Sequence, residues 1–410
     1  MSQINPQRLL ADLHRLRSIG AYRTGVHRPT FSSEDMEGRR WLAAQYEAAG
    51  LNALIDGVGN VFGRAPEAGP RLLIGSHAES QNHAGWLDGA LGVIYGLELA
   101  RTFRESPHCT GLQIEPVAWA DEESHFIPFL GTRSFIGDMN DEEIDAARDR
   151  TTGRPLRTAI AEAGLEGVPR ELADPKRYVG YLEAHIEQGD SLEAAGLSLG
   201  VVTSIVGIQQ YRIVFSGTQN HAGTTRMAIR RDAGRSLVTF CTALDRTFDA
   251  LKAERTVWTV GRITLEPGAP AIIPGRAEML FQFRDDDTAV IARLDAALHD
   301  LVAETDAAGP CGVTIETLSE SRPSRMEPAF QAALTRAAEQ CAPGRHVAMP
   351  SGAGHDAQIL ARFMPCGMLF VPSIGGISHH WTEDTREDDI VLGCQVLADA
   401  AEIILGAAHR

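Results

Sequence analysis

The chain has 410 residues, a formal net charge of −16, 44% apolar residues and 22% charged residues, an ordinary globular balance. Such a length exceeds what one hydrophobic core usually organises, so two domains are expected. The acidic balance excludes a nucleic-acid partner, which needs a basic face, and no basic N-terminal stretch followed by an apolar one, nor any run approaching transmembrane length, calls for a membrane.

Ser32 to Gly50 reads as a helix, with Ser32 and Asp35 as a capping box and Gly50 as the stop. The apolar run inside Arg71–Ser76 suits a buried strand, Gly89 to Phe103 a helix, and Leu112 to Trp119 and Tyr178 to His185 two further strands. The same alternation resumes late in the chain. Pro328–Cys341 suits a helix, Met368–Val371 a strand and Asp389–Ala408 a final helix. Strands alternating with helices predict an α/β layered domain with a largely parallel sheet.

The middle of the chain differs. Tyr211–Ser216, Val257–Leu265, Ala277–Arg284 and Val313–Leu318 read as strands, and Ile229–Ala253 and Thr288–Thr305 as helices. The order β-α-β-β-α-β is the ferredoxin-like arrangement. The expected organisation is a discontinuous α/β domain over residues 1–208 and 322–410, with an inserted α+β domain over 209–321. Six cysteines, at 109, 241, 311, 341, 366 and 394, form no C-x-x-C pair; buried reduced thiols in a cytoplasmic enzyme are expected.

Chemistry concentrates in four clusters after expected strands: Ser76-His77-Ala78-Glu79 continuing to Leu87-Asp88-Gly89, Asp121-Glu122-Glu123-Ser124-His125, Glu183-Ala184-His185-Ile186-Glu187-Gln188-Gly189, and Gly376-Ile377-Ser378-His379-His380. In open α/β sheets ligands gather beyond the carboxyl ends of strands. A lone histidine or a Glu-Glu pair is usually a satisfied core residue or a solvated loop; four such clusters at strand ends point to a site. Imidazoles and carboxylates without thiols suit zinc, manganese, cobalt or nickel. A carboxylate bridging two such ions would let them share a water, and an adjacent carboxylate would take its proton.

The stretches GSHAES, WLDGALGV, WADEES, YLEAHIEQG, GVVTSIVG, NHAGTT, IIPG, PSGAGHDAQ and FVPSIGGISH make the resemblance specific. With them the chain is similar to the M20 metallopeptidase-like family, in the hydantoinase/carbamoylase branch of N-carbamoyl-L-amino acid hydrolases, β-ureidopropionases and allantoate amidohydrolases. The resemblance runs from about residue 72 to 380. It implies two divalent metal ions, one held by His77, Asp88 and His185, the other by Asp88, Glu123 and His379. Glu122 would be general base and then general acid, with Glu79 as a carboxylate orienting the His77 imidazole. His221 would stabilise the oxyanion in a neighbouring subunit's site, which implies a homodimer with a closing lid and dimerisation domain. Arg284 falls on the family's substrate-carboxylate arginine; an arginine paired with Asp285–Asp287 is the competing reading. Gly354 lies in a glycine-rich turn that lines the substrate pocket in the family.

Some positions depart from the family. Glu79 replaces an aspartate, Gln210 stands where allantoate-type members have a substrate-contacting arginine, and Ala271 replaces an asparagine. Trp86 replaces an arginine before Asp88, and Ser124-His125-Phe126 replaces Gly-x-Arg-Phe. Trp86 and Ala271 are expected to make the pocket more apolar. The expected activity is hydrolysis of a linear, non-peptide C–N bond in a small carboxylate-bearing substrate, an N-carbamoyl amino acid or related amide. The competing readings are an N-acyl amino acid amidohydrolase or dipeptidase of the wider family, and a non-catalytic amino-acid-binding protein on the same fold. His185 and the motif Gly376-Ile377-Ser378-His379 favour the carbamoylase branch, and the intact set of ligands with Glu122 disfavours the binding protein.

Overall fold

Asn5 and Ser32 begin the two N-terminal helices, Pro6–Ser18 and Ser33–Ala48, by accepting from the N–H groups of Arg8 and Asp35. The computed structural model describes residues 2–174 and 176–409. The expected capping box at Ser32 forms only in part. The Asp35 carboxylate accepts from the Phe31 N–H at 2.9 Å and pairs with Arg39 at 2.9 Å. An ionised partner one helical turn away attracts it more strongly than a second capping bond does.

Four strands run parallel at the centre of a sheet, in the spatial order Cys366–Val371, Gly180–Ile186, Arg71–His77 and Gln113–Trp119. Nearly every residue in them is buried, as befits strands covered on both faces. The helix Ala90–Glu105 crosses between Arg71–His77 and Gln113–Trp119. The sheet departs from the expected parallel pattern at its flanks. Val61–Arg64 and Asn52–Ile55 on one side, and Leu199–Ile205 on the other, are antiparallel. The short turn between Asn52–Ile55 and Val61–Arg64 permits that direction for this pair, whereas a parallel pairing requires a long crossover.

Leu72, Ile74, Leu182 and Leu369 from the sheet share one core with Leu91, Ile94 and Tyr95 of Ala90–Glu105 and with Ile390, Leu397 and Leu405 of the helix Glu387–Ala408. Each such buried side chain contributes about 1.5–3 kcal/mol. Glu387–Ala408 corrects one expectation, because it is apolar enough over its length to cross a membrane. Most of it is buried inside the protein, so its composition is that of a core helix.

By contact the chain divides into two compact units, one running up to Thr203 and again from Arg325, the other Ser204–Ser324. The second unit has a four-stranded antiparallel sheet ordered Val257–Glu266, Arg276–Asp285, Gly207–Ser216, Gly312–Glu320. Its helices, Ala233–Leu251 and Thr288–Ala308, bury Leu237, Phe240, Leu244, Phe248, Leu294 and Leu298 against Ile213, Phe215, Met279, Phe281 and Phe283. The first of these helices starts later than its apolar pattern predicts. Asp232 caps it by accepting from Arg235 N–H, and Ile229 belongs to a short 3-10 turn.

Candidate metal centre

All four parallel strands deliver side chains at their carboxyl ends. His77 closes Arg71–His77, His185 stands next to the end of Gly180–Ile186, Glu122 and Glu123 follow Gln113–Trp119, and His379 lies on the loop after Cys366–Val371. Asp88 sits on the loop that enters Ala90–Glu105. Asp121, Ser124, Gln188 and His379 have left-handed backbone, with φ of 58, 59, 60 and 54°. Non-glycine residues adopt it at a cost that surrounding bonds must offset. At Asp121 those bonds are visible: its carboxylate accepts from the N–H groups of His125, Phe126 and Ile127 at 2.7, 2.9 and 2.8 Å, and from Thr30 Oγ1 at 2.9 Å.

Asp88 is the hub. Its Oδ1 lies 3.3 Å from His77 Nε2 and 3.1 Å from His185 Nε2, and its Oδ2 lies 3.3 Å from His379 Nε2. Glu123 Oε2 is 3.7 Å from His379 Nε2, and Glu122 Oε2 is 3.7 Å from His77 Nε2. Two groups thus present three donor atoms within 4.8 Å of one another: His77, Asp88 and His185, and Asp88, Glu123 and His379. His77, Asp88 and His185 are buried, and the side chain of His379 is 51% exposed, so the site opens at His379.

The donor chemistry fits divalent cations. Asp88, Glu122 and Glu123 are three carboxylates held together away from water, an arrangement that needs positive charge. Glu123 Oε1 is buried with no hydrogen-bond partner among the described residues. Burial and the neighbouring Glu123, Asp356 and Asp88 charges push the Glu122 carboxyl well above its ordinary range, although His77 opposes them. Hydrogen bonding to Asp88 raises His379 to about 9.

The supporting contacts correct several expectations. His77 Nδ1 lies 3.1 Å from the backbone carbonyl of Glu79 and 3.8 Å from its carboxylate. The carbonyl therefore orients the ring. The longer Glu79 side chain instead accepts from the Glu122 N–H at 2.7 Å and from Arg39 Nη2 at 2.8 Å. Trp86, expected to make the pocket more apolar, is packed into the protein instead. It is 3% exposed, stacks on His14, lies under Arg17 and donates to Asp384 Oδ1. His125, from the altered loop, contacts the Ser80 carbonyl through Nε2 at 3.0 Å and so joins two of the site's loops.

Sequence reasoning missed further supports. Gln81 Nε2 donates to Glu123 Oε2 at 2.6 Å and Gln188 Nε2 to Asp88 Oδ2 at 3.1 Å. Buried Glu383 accepts from the Leu87 and Asp88 N–H groups at 3.3 and 3.1 Å and from Ser378 Oγ at 3.2 Å. Burial, reinforced by Asp88, raises its carboxyl to about 8. A lone acid in His380-Trp381-Thr382-Glu383 carries no local signal of this, because the Leu87 and Asp88 N–H groups it accepts from lie 296 and 295 residues away. His355, beside Gly354, packs edge-on against His185 with ring centroids 4.6 Å apart and meets Ser351 Oγ at 2.8 Å.

Gly89 has a φ of 67°, and a Cβ built there would lie 2.4–2.5 Å from the His77 ring. Gly89→Ala is therefore expected to displace His77 and weaken metal retention by about 10–100-fold, as loss of a ligand's orienting contacts does. Metal content after dialysis against a graded chelator series checks this; wild-type retention would refute it.

Three remaining candidates belong to the second unit. His221 is exposed on the short strand Asn220–His221, and its Nδ1 accepts from the Gly223 and Thr224 N–H groups at 3.0 and 3.2 Å. An accepting Nδ1 leaves the proton of the neutral ring on Nε2, which can then donate. Gln210 pairs across the sheet with Gln282, whose Oε1 accepts from Arg284 Nη2 at 3.3 Å. These three half-buried polar residues share one sheet face, alternating with inward Tyr211, Phe281 and Phe283.

The sequence profile of peptidase family M20/M25/M40 matches residues 72–403. The chain is 34% identical to an N-carbamoyl-L-amino acid amidohydrolase of Geobacillus stearothermophilus over 96% of its own length and 97% of the relative's. It is 31% identical to an allantoate amidohydrolase of Bacillus subtilis (strain 168), covering 92% of each chain. Among solved structures, an amidase of the hydantoinase/carbamoylase family from Burkholderia phymatum superposes with a TM-score of 0.92 at 48% identity, covering 99% of both chains.

Proposed function

The chain belongs to peptidase family M20/M25/M40, in its hydantoinase/carbamoylase branch, and from that premise we propose that it hydrolyses the carbamoyl C–N bond of an N-carbamoyl amino acid or related carboxylate-bearing ureido compound. It is a metal-dependent enzyme acting on non-peptide C–N bonds. The observation that carries the finer reading is the pair of three-donor groups sharing Asp88, with Glu122 beside them.

In this reading His77, Asp88 and His185 would hold one ion and Asp88, Glu123 and His379 the other, zinc or manganese being the first choices and cobalt or nickel also suiting the donors. When bound, divalent cations would supply Lewis acidity, lowering the pKa of a water and polarising a carbonyl. Glu122 takes the proton of the attacking water and passes it to the leaving nitrogen. His221 would donate from Nε2 to the developing oxyanion in a neighbouring subunit's site. Water and the carbamoyl amino acid yield the free amino acid and carbamate, which falls apart to carbon dioxide and ammonia.

Arg284 and Gln210 are proposed substrate contacts, the guanidinium for the carboxylate, and Gly354 a backbone contact. The second unit is read as a lid and homodimerisation module. Supporting that role, Val257–Glu266 lies at the edge of its sheet and exposes Val257, Ile263 and Leu265. Free thiols at all six cysteines support a cytoplasmic setting.

A panel of N-carbamoyl, N-formyl and N-acyl amino acids, assayed for ammonia and amino acid with added zinc, manganese or cobalt, tests this reading. Ammonia and amino acid are expected in equal amounts from the carbamoyl substrates, with loss on chelation and return on adding metal. Turnover of N-acyl substrates alone would replace it with the acyl-amide activity.

A further inference from the structure

Arg39 lies at 0% exposure beneath the metal centre, and its guanidinium makes four contacts, one to Asp35 a helical turn away and three to groups remote in sequence. Nε donates to Asp35 Oδ2 at 2.9 Å and Nη2 to Glu79 Oε2 at 2.8 Å, while Nη1 reaches the carbonyls of Gly59 at 2.8 Å and Trp119 at 3.2 Å. Glu79 and Trp119 sit at the ends of adjacent parallel strands, two residues after His77 and three before Glu122. The second oxygen of Glu79 accepts from the Glu122 N–H at 2.7 Å. One planar cation therefore brackets the loop that follows His77 and the loop that carries Glu122.

We propose that Arg39 is a positioning residue for Glu122, acting through the Glu79 carboxylate, which it holds in the orientation that fixes the Glu122 backbone. This rests on the reading of Glu122 as general base. A buried charge network is weak evidence for stability by itself. Its geometric content is register: the rigid fork satisfies two carboxylates and two carbonyls at fixed angles, which an ammonium cannot do. The longer side chain at position 79 is part of the device. It reaches past the imidazole to the Glu122 N–H and to Arg39, leaving His77 to the backbone carbonyl.

Arg39→Lys and Glu79→Asp test the proposal. Each is expected to lower kcat at least tenfold, with KM within about threefold of wild type and metal content unchanged, since a misplaced reacting group costs rate before affinity. Introducing Arg39→Lys into Glu79→Gln should lower kcat no further than Glu79→Gln alone, because the two residues act in series. Wild-type kcat in both Arg39→Lys and Glu79→Asp would overturn the proposal, as would independent, multiplying losses in the double variant. Should Arg39→Lys fail to fold, Glu79→Asp and its KM-against-kcat split decide alone. Glu122→Gln run in parallel separates the two claims. An inactive Glu122→Gln beside fully active Arg39→Lys and Glu79→Asp rejects the positioning role only, and an active Glu122→Gln rejects the base.

Discussion

Glu122→Gln is expected to fold, to keep its metal and to lose about 10²–10⁴ in kcat, the range a positioned general base contributes. That corresponds to roughly 3–5 kcal/mol of transition-state stabilisation. The amide keeps the size and the backbone N–H bond to Glu79 but cannot accept the proton of the attacking water. Neither three-donor group includes Glu122, so metal occupancy should hold. Steady-state kinetics on an N-carbamoyl amino acid, with metal analysis and a melting curve, give the three readouts. A kcat within a few-fold of wild type would reject Glu122 as the base.

Asp88→Ala should be the most severe single change at the site. Asp88 is in both donor groups, and its two oxygens face three different imidazoles. Without it His77, His185 and His379 are left facing a gap with no shared anion, and Gln188 Nε2 loses its 3.1 Å acceptor. Metal content is expected to fall below that of wild type even with excess zinc or manganese. Activity should fall on the order of a thousandfold or more, since metal polarisation contributes several kcal/mol. Removing one partner of a buried charge cluster destabilises by about 3–5 kcal/mol, so a melting curve accompanies the metal analysis to separate loss of metal from loss of fold. Full occupancy with activity within tenfold of wild type would remove Asp88 from the centre of the mechanism.

Legibility varied with the range of the interaction. The strand cores around Leu72 and Leu369, the start of the second helix at Ser32 and the strand-end clusters at His77, Glu122, His185 and His379 all depend on residues a few positions apart, and could be read directly. The apolar pattern runs on to Ile229, but the cap at Asp232 sets the start of the helix Ala233–Leu251. The side chain type of Trp86 is local, but its packing on His14 and Arg17 is tertiary and takes it out of the pocket. The roles of Glu383 and Arg39 at the site were hidden, since the contacts that define them, to the Asp88 N–H and to the Glu79 carboxylate, join segments tens to hundreds of residues apart.

The sequence by itself determined which residue types stand at the ends of four strands, and hence the kind of chemistry the protein carries, because ligand identity and strand alternation are local properties. Only the tertiary structure decided which atoms do what. It set the four parallel strands side by side, turned the two Asp88 oxygens toward different histidines, gave His77 a carbonyl instead of a carboxylate, and spent the Glu79 side chain on Glu122 and Arg39. Those choices depend on angles and distances between segments remote in sequence, and burial makes each of them costly to change.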